Sequence, residues 1–580
     1  MRLASFDIFD TTLLRKCGRP ENINALISGD HTEGDSAERA VESVVLMANP
    51  AIRDIIKQKR AEGWHIAFIS DMYLDSDFLR TLLIREECFC DGDDIYISCE
   101  HHARKDLGTL YDIVRKDLAP EDWIHYGDNR RSDYRMARKK GITPKLVDSS
   151  YNAAELSLEE NEQCLQSGQD LKVLAGIARA ARFHFGNEKY ATFAADFVAP
   201  TYIPYVVWLM KEAKAKGIKR LYFLSRDSYI LMKIAEVFAA DYGIELRYFF
   251  ISRRALYLPY VADGGAAEYL ASADHHTIRR RDNVDKLLLH LGTSREELKS
   301  QFNIEFPYAR TDSAEEEQDF LNKIFASAFT PTLQQRAHEK RELMLSYFKQ
   351  EGLTDDVNYA MVDIGWLGTT RQMMNRILAS IGQPAAHFYY FGVRGDVFPQ
   401  SDGEFTSFFH RGRFNTYITS VAEHYYSASP YPTTIGYKKD SSGRISPIFP
   451  EGTEVRSNDI IRNNIEVSRW MATVLRDMKD FDPAALYLYA KNAIDTISQK
   501  DIAVDLTPLL ALGDFDSWSF VKRLSLNELF SIVCLGGNVT TFDWGSLKLT
   551  LPCGWTRPAW QLHLLTGKVR GYIFRKFFLK

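Results

Sequence analysis

Short apolar runs that alternate with helix-like segments constrain the fold of the first 150 residues more than any other feature. The runs are RLASFDIF (2–9), HIAFIS (65–70), IYISC (95–99) and WIHYGD (123–128). Helix-like segments such as NPAIRDIIKQKRAEG lie between them. Strands that alternate with helices predict a parallel, doubly wound α/β sheet.

A second α/β region follows. Its strand-like runs are RLYFLS (220–225), LRYFFIS (246–252), YAMVDIG (359–365) and HFYYFGV (387–393). The acidic, polar segment AAELSLEENEQ suggests a linker, and the pattern after about 455 is mainly helical. We therefore predict a first domain over 1–150, a linker over 151–169, a second Rossmann-like domain over 170–455 and a helical region over 456–580.

Size and charge narrow the class of protein. A chain of 580 residues is too long for one hydrophobic core. The net charge of −5 lacks the basic footprint of a nucleic-acid-binding protein, so we expect no nucleic-acid partner. Seven cysteines, an odd and sparse set, disfavour a disulfide framework and favour the reducing cytoplasm.

Two segments of the sequence are candidates for contact with a membrane. Residues 192–210 are apolar but contain Asp196, Pro200 and Pro204, so we predict a buried or broken helix rather than a span. The tail KVRGYIFRKFFLK (568–580) mixes basic and aromatic residues, which suits an anionic membrane surface. A terminal helix docked on its own core would have the same composition. The expected location is cytoplasmic, with a peripheral position on the inner membrane left open.

Polar residues follow several strands of the first domain. Asp7 and Ser70 end two of the apolar runs, Lys105 opens a helix, and Asp128 and Asp133 follow a fourth run. The carboxyl ends of parallel strands meet at one edge of a sheet, so these residues can converge. Strand-to-helix turns with capping carboxylates are the alternative interpretation.

The chemistry of this set points to phosphoryl transfer. Asp7 could be an in-line nucleophile that forms an aspartyl phosphate. Asp7, Asp128 and Asp133 could hold Mg²⁺, which prefers oxygen ligands. Contacts with phosphoryl oxygens are predicted from three residues, Thr11, Ser70 and Lys105.

The same residues resemble the four motifs of the haloacid dehalogenase (HAD) superfamily of phosphohydrolases. In order, these are FDIFDT, FISD, Lys105 and YGDNRRSD, and the resemblance covers about 150 of the 580 residues. It implies an HAD-type Rossmannoid sheet, catalysis by Asp7, Ser70 and Lys105, and a small helical cap between Asp7 and Ser70.

One position departs from the family pattern. In phosphatases of the superfamily, an aspartate two residues after the nucleophile acts as general acid and base, whereas this chain has Phe9 there. Asp10 is one residue further and is expected to point elsewhere. Loss of such proton transfer typically costs about 10² to 10⁴ in rate. Asp71, His101 and His102 are candidate replacements.

Strand-to-helix turns of the second region also carry polar and basic residues. Each turn alone could be an ordinary capped turn. In VDIGWLGTTRQMM, two glycines and a helix N-terminus favour an anion such as a phosphate or diphosphate, with a structural turn as the alternative. The second ligand site is predicted from Arg226, Asp227, Arg253, Asp363, Gly365, Gly368, Thr369, Arg371 and Glu423.

The motifs YFLSRDSYIL and VDIGWLGTT resemble the long two-part HAD proteins of bacterial surface-polysaccharide gene clusters. The resemblance implies a role in capsule or lipopolysaccharide assembly. We expect a Mg²⁺-dependent phosphoryl-transfer enzyme that acts on a phosphorylated sugar, nucleotide-sugar or glycan intermediate. The alternatives are a glycosyltransferase that uses a nucleotide-sugar in the second domain, with the HAD domain degenerate or a binding module, and an interaction protein with two vestigial sites.

The stretch CFCDGDDIYISCEHH contains a cluster of cysteines and histidines. Its members are Cys88, Cys90, Cys99, His101 and His102. Their spacing does not match a usual structural zinc site. We predict ordinary buried cysteines beside the first site.

Overall fold

The computed structural model describes residues 1–27, 34–160, 169–262, 284–309, 313–393, 404–409, 416–451, 453 and 457–499. The chain divides into two compact units. The first unit comprises Met1–Pro204 and Glu466–Thr496, and the second comprises Tyr205–Ile465 and Ile497–Lys580. The tail predicted to contact membranes, 568–580, lies outside the described residues.

The first unit is built on a parallel sheet. Its strands are β1 (Arg2–Phe6), β2 (Leu13–Arg15), β3 (Leu46–Ala48), β4 (His65–Ser70), β5 (Asp94–Ile97), β6 (Asp122–Gly127) and β7 (Thr143–Leu146). Five of them form one sheet in the order β5-β4-β1-β6-β7, and every neighbouring pair is parallel. This confirms the α/β prediction for the first domain.

Helices cover both faces of this sheet. They are α1 (Gly34–Val45), α2 (Pro50–Ala61), α3 (Ser76–Arg85), α4 (Ser98–His101), α5 (Thr109–Leu118), α6 (Ala137–Lys139) and α7 (Ala153–Glu159), with a π-helical turn at Arg130–Met136. Phe6 and Phe68 belong to the core on one face, whereas Leu3 and Ala67 belong to the core on the other. Burial on both faces explains why these strands are continuous apolar runs.

A small insertion separates β1 from α2. It contains a 3₁₀ helix at Pro20–Ala25, α1, and an antiparallel ribbon in which β2 pairs with β3. The insertion occupies the place expected for the cap, and it is partly helical and partly a β ribbon.

Further helices complete the first unit. They are α8 (Asp170–His184), α9 (Lys189–Phe193) and a π-helical turn (Ala194–Val198), which leads into α10 (Ala199–Ala215). Ala180 and Phe183 of α8 pack against Leu14 and Met47. Because α8 covers this part of the core, residues 170–204 belong with the first unit, and the chain divides later than the boundary expected near 170.

One continuous helix, Lys189–Ala215, is long and apolar enough to cross a membrane by length and composition. In its most apolar window, 83% of the residues are buried inside the protein. Such burial is typical of a core helix, in line with the expectation of a buried segment at 192–210.

The second unit contains another parallel sheet. Its strands are β8 (Arg220–Leu224), β9 (Glu245–Phe249), β10 (Tyr359–Trp366), β11 (His387–Val393) and β12 (Phe405–Phe409), in the order β12-β11-β10-β8-β9. All four neighbouring pairs are parallel. A separate antiparallel pair joins β13 (Gly436–Lys439) to β14 (Ile445–Ile448).

Helices α11 to α18 connect these strands. Their bounds are Tyr229–Tyr242, Arg253–Tyr260, Val284–His290, Arg295–Phe302, Ala314–Phe325, Thr330–Gln350, Thr369–Ser380 and Thr416–Val421, followed by a π-helical turn at Ala422–Tyr426. After β14 come α19 (Asp459–Met478) and α20 (Pro483–Gln499). The C-terminal region is therefore helical, as predicted, as far as the structure describes it.

The last described helices contribute residues 466–496 to the first unit. Lys479 Nζ lies 2.7 Å from Asp170 Oδ1, and the Tyr489 hydroxyl donates to the carbonyl oxygen of Leu174 at 3.3 Å. The His184 and Trp470 rings stack with their centroids 4.7 Å apart. These contacts explain why residues 466–496 join the first unit instead of forming a separate C-terminal region.

Candidate functional site

The first candidate site lies at the topological switch point of the first sheet. In this sheet β1 lies between β4 and β6, so the chain first extends the sheet on one side of β1 and later on the other side. In doubly wound sheets, ligands bind at the carboxyl edge of such a point. Asp7 follows β1 directly, and Asp128 follows β6 directly. The Asp7 N–H donates to the Tyr126 carbonyl oxygen at 2.8 Å, which holds the start of the loop to β6.

Lys105 joins two of the carboxylates. Its Nζ lies 2.5 Å from Asp7 Oδ1 and 2.7 Å from Asp133 Oδ1, and the residue is 3% exposed. The Lys105 backbone N–H donates to Asp71 Oδ1 at 2.8 Å, so Asp71 fixes the turn that presents the lysine. Burial lowers the Lys105 pKa, but Asp7 and Asp133 outweigh it and hold the pKa above its ordinary value. The lysine is therefore a permanent cation in the site.

The three carboxylates of Asp7, Asp128 and Asp133 form a compact donor set. One oxygen of each lies within 4.8 Å of the others. Burial raises the pKa of Asp7 to about 8, with Lys105 opposing the shift. Burial, with Asp10 and Asp133 nearby, raises the pKa of Asp128 to about 6. The single positive charge of Lys105 does not balance the negative charge that the three carboxylates can carry. A divalent cation that prefers oxygen ligands, such as Mg²⁺ or Mn²⁺, therefore fits these residues.

A buried relay positions Asp133. Its pKa lies below the ordinary range: burial opposes this shift, but Lys105 and His125 together outweigh it. His125 Nε2 lies 3.3 Å from Asp133 Oδ1, and His125 Nδ1 lies 2.8 Å from Ser5 Oγ. Burial lowers the pKa of His125, so its ring is neutral, donates to the carboxylate and accepts from Ser5. The Trp123 indole N–H donates to Ser5 Oγ at 2.8 Å and completes the relay.

The carboxylates open onto a cavity of about 740 Å³. Five of the predicted residues line it, namely Asp7, Ser70, Lys105, Asp128 and Asp133. The sixth, Thr11, is buried, and its hydroxyl donates to Asp128 Oδ1 at 3.3 Å. The structure therefore brings the predicted residues of the first site together, while their catalytic roles stay predictions.

Sequence reasoning missed several residues of the cavity wall. The additional polar residues are Arg15, Glu21, Asn24, Glu38, Tyr73, Arg104, Asp106, Asn129, Arg131 and Ser132. Four of them, Arg15, Glu21, Asn24 and Glu38, come from the insertion, whose placement no motif specifies. Of the three candidate replacements for the acid, Asp71 lines the cavity, whereas His101 and His102 do not.

In the second unit, the switch point lies between β8 and β10. Asp227 follows β8, and burial raises its pKa, with Arg226 opposing the shift and Glu423 supporting it. Burial raises the pKa of Asp363 in β10 to about 7, with Asp227 and Glu423 adding to the shift and Arg253 opposing it. The structure therefore brings five of the predicted second-site residues within electrostatic reach of one another.

The remaining second-site residues lie around the start of α17. Gly368 precedes the helix with φ of 71°, and Thr369 is 3% exposed. A Cβ at Gly365 would lie 2.1 Å from the Gly392 carbonyl oxygen, so this glycine is required for contact with β11. Arg371 is fully buried, with its guanidinium 4.8 Å from the centre of the Phe405 ring. Ligand binding by these four residues stays a prediction.

The cysteine cluster differs from expectation. Cys88 is buried, but Cys90 and Cys99 are exposed, so the prediction of buried cysteines is wrong for these two. Cys90 lies in the loop before β5, an edge strand of the sheet, and Cys99 lies in the short helix α4 directly after it, where side chains reach solvent. Among the described residues, the grouping with the geometry of a metal site is the Asp7, Asp128 and Asp133 set.

Comparison with known proteins adds no family assignment. No protein-family model matches the chain, and no curated protein matches its sequence.

Proposed function

We propose that the first unit is a divalent-cation-dependent phosphoryl-transfer enzyme of HAD type, in which Asp7 is the nucleophile. The observation that carries the proposal is the contact of Lys105 Nζ with both Asp7 and Asp133 inside a three-carboxylate set. A lysine shared by two buried carboxylates at the edge of a cavity suits a site that binds phosphate beside a cation.

Each residue of the site has a role in this scheme. An Asp7 oxygen attacks phosphorus, and the bond from phosphorus to the leaving group breaks. Lys105 neutralises charge on the nucleophile and on the phosphoryl group, and Ser70 donates to a phosphoryl oxygen. Asp7, Asp128 and Asp133 would hold Mg²⁺, which supplies Lewis-acid stabilisation of phosphoryl oxygens when bound. Water then hydrolyses the aspartyl phosphate and regenerates Asp7.

The proposed substrate is a phosphorylated sugar or glycan intermediate of bacterial surface-polysaccharide assembly. Support comes from the resemblance of the motifs in both regions to the two-part HAD proteins, and from a cavity with room for more than a phosphate group. The proposed location is the cytoplasm or the inner face of the membrane.

Phosphate release from p-nitrophenyl phosphate by the full-length protein tests the proposal. We expect release that requires Mg²⁺ and that Asp7→Asn reduces to background, because an amide cannot attack phosphorus. Asp112→Asn is the control, since Asp112 lies on α5 with its side chain 54% exposed and pairs with Lys140. Cation-independent release, or full activity of Asp7→Asn, would contradict the proposal.

A second candidate function is glycosyl transfer from a nucleotide-sugar in the second unit. The favouring observation is the group of charged residues at the β8–β10 switch point, where Arg226 and Arg253 could neutralise a diphosphate leaving group. In this case Arg226→Ala would abolish polymer synthesis in cells, whereas Asp7→Asn would not.

A further inference from the structure

Outside the three carboxylates of the cation site, the wall of the first-site cavity contains few side chains of the kinds that usually act as general acids. Among the residues that the structure describes, its lining contains no histidine and no cysteine. The ammonium of Lys105 is engaged by two carboxylates, those of Asp7 and Asp133. Burial raises the pKa of Tyr73 to about 12, and its hydroxyl donates to Glu38.

Two arginines engage the loop that follows the nucleophile. Phe9 lines the cavity, with the Arg15 guanidinium 4.4 Å from its ring centre. Arg15 in turn forms a buried ion pair with Glu42 at 2.7 Å. Asp10 accepts from Arg179 Nη2 at 3.0 Å. The loop therefore offers a hydrocarbon ring and an ion-paired carboxylate in place of a carboxylic acid.

Other carboxylates of the wall are engaged in hydrogen bonds or ion pairs, or face solvent. Asp71 accepts the Lys105 N–H through both oxygens, at 2.8 and 3.1 Å. Asp106 pairs with Arg104 at 2.8 Å. Glu21 is exposed to solvent. Glu38, the remaining wall carboxylate outside the cation site, accepts from Tyr73, so each of these acids of the described wall is engaged elsewhere or faces solvent.

Two arginines stand at the rim of the same cavity. The side chain of Arg104 is 61% exposed and that of Arg131 is 76% exposed. Both approach Asp106, at 2.8 and 4.0 Å. Guanidinium groups are well suited to bind phosphate, so the rim can bind an anion that leaves the reaction centre.

We propose that this site, if it is the phosphoryl-transfer site described above, takes a diphosphate and transfers its terminal phosphoryl group. Asp7 attacks the terminal phosphorus, the bond to the bridging oxygen breaks, and the electron pair stays on that oxygen. The leaving group is a phosphate monoester anion, which needs no proton and which Arg104 and Arg131 bind. Water then cleaves the aspartyl phosphate, giving Asp7 and inorganic phosphate, and its released proton passes to phosphate or solvent.

Uridine 5′-diphosphate and uridine 5′-monophosphate form a matched pair of probes, because only the monophosphate must expel an alkoxide. With the full-length protein and Mg²⁺, we expect kcat/KM for phosphate release to be at least about 10²-fold higher for the diphosphate, the size of a missing acid's contribution. Values within tenfold of each other would overturn the inference. If the protein released phosphate from p-nitrophenyl phosphate but not from the diphosphate, the inference would be overturned and the proposed function would stand. If it released phosphate from none of the probes, both would be overturned.

Two substitutions at Phe9 test the missing acid. Phe9→Asp should raise the monophosphate-to-diphosphate ratio of kcat/KM, and Phe9→Asn should not, because only the carboxylic acid can carry the proton. Asp10→Asn should leave the ratio unchanged. A tenfold fall of monophosphate turnover in Asp10→Asn would identify Asp10 as the acid and would overturn the inference.

Binding of a diphosphate by the two rim arginines, Arg104 and Arg131, can be measured without catalytic turnover. Calorimetric titration with methylenediphosphonate, which cannot be hydrolysed, should show weaker binding to Arg104→Gln and to Arg131→Gln, by about tenfold each for a lost charged contact. Lys139→Gln, outside the cavity lining, is the control. Equal binding by all variants would overturn the assignment of a diphosphate to the rim.

Discussion

Gly127 allows Asp133 to reach Lys105. Gly127 is the last residue of β6, and a Cβ there would lie 2.4 Å from the Asp133 Cβ. A real Cβ would have to displace Asp133, whose oxygens accept from Lys105 and from the Asn129 N–H at 3.0 Å. Gly127 therefore contributes to the cation site without contacting a ligand.

If the proposed cation site binds Mg²⁺, the ion should raise the melting temperature of the wild-type protein, because ligand binding to the native state stabilises it, and Gly127→Ala should abolish this rise. Thermal unfolding with and without Mg²⁺ measures this effect. Gly92→Ala is the control: its Cβ meets no atom within 4 Å, and the strain of alanine at its φ of 96° should lower stability without changing the effect of Mg²⁺. Preserved stabilisation by Mg²⁺ in Gly127→Ala would contradict the role assigned to this glycine.

Residues that directly follow strands could be predicted from sequence, but their supporting partners could not. Asp7, Ser70 and Asp128 stand out because polar residues end apolar runs. Ser5 and His125 are isolated polar residues inside buried strands, and they face each other in the β1–β6 register. A polar residue within a buried strand indicates that it has a polar partner, but the sequence does not show which residue of another strand that partner is.

At the scale of elements, the interior strands were predictable and the edge strands β7 and β12 were not. Each predicted strand is present, with its bounds shifted by up to three residues. The sequence of β7 is TPKL, and its residues are largely exposed. An edge strand pairs on one side only and need not be a continuous apolar run, so the hydrophobic pattern can miss it, as at β7, although it did reveal the edge strands β5 and β9.

Helix α8 approaches the loop after β2 closely. A Cβ on Gly176 would lie 2.2 Å from the carbonyl carbon of Cys17 and 2.3 Å from the backbone nitrogen of Gly18. An apolar pattern predicts that α8 is buried, but it does not identify the core that α8 covers. The boundary expected near 170 was misplaced for this reason.

We expect Gly176→Ala to destabilise the protein, although alanine in a helix is normally favoured over glycine by about 1 kcal/mol. Overpacking of a buried contact typically costs about 1 to 3 kcal/mol, which outweighs the gain in helix propensity. Urea unfolding followed by circular dichroism measures the change. Lys172→Ala, at a half-buried position of α8, should change stability little. A stabilised Gly176→Ala variant would show that α8 is not closely packed against the loop.

At the scale of the whole molecule, the first unit is assembled from distant parts of the chain, and Asp196 lies where they meet. A small cavity there is lined by Asp196, Glu155 and Tyr489 among others. Burial, with Glu155 nearby, raises the pKa of Asp196 from its ordinary value of 3.8 to about 7. Asn152 donates to both oxygens of Asp196, at 3.1 and 2.9 Å.

This shift predicts a pH-dependent stability. Between pH 4 and 7 the folded protein holds the Asp196 proton and the unfolded chain does not, so the free energy of unfolding falls as pH rises. The slope is at most about 1.4 kcal/mol per pH unit, and this contribution ends above pH 7. Asp196→Asn should reduce the fall, as measured by urea unfolding at pH 5, 6 and 7. Equal slopes for the two proteins would contradict the shifted pKa.

The division of the first unit between residues 1–204 and 466–496 has a consequence during synthesis. The ribosome must translate residues 205–465 before the missing helices emerge, which takes roughly 15 to 50 s at about 5–20 residues per second. Over that interval the nascent N-terminal segment lacks its final partners. Until residues 466–496 have left the ribosome, the surfaces of the first unit that they cover are therefore open to chaperones and proteases.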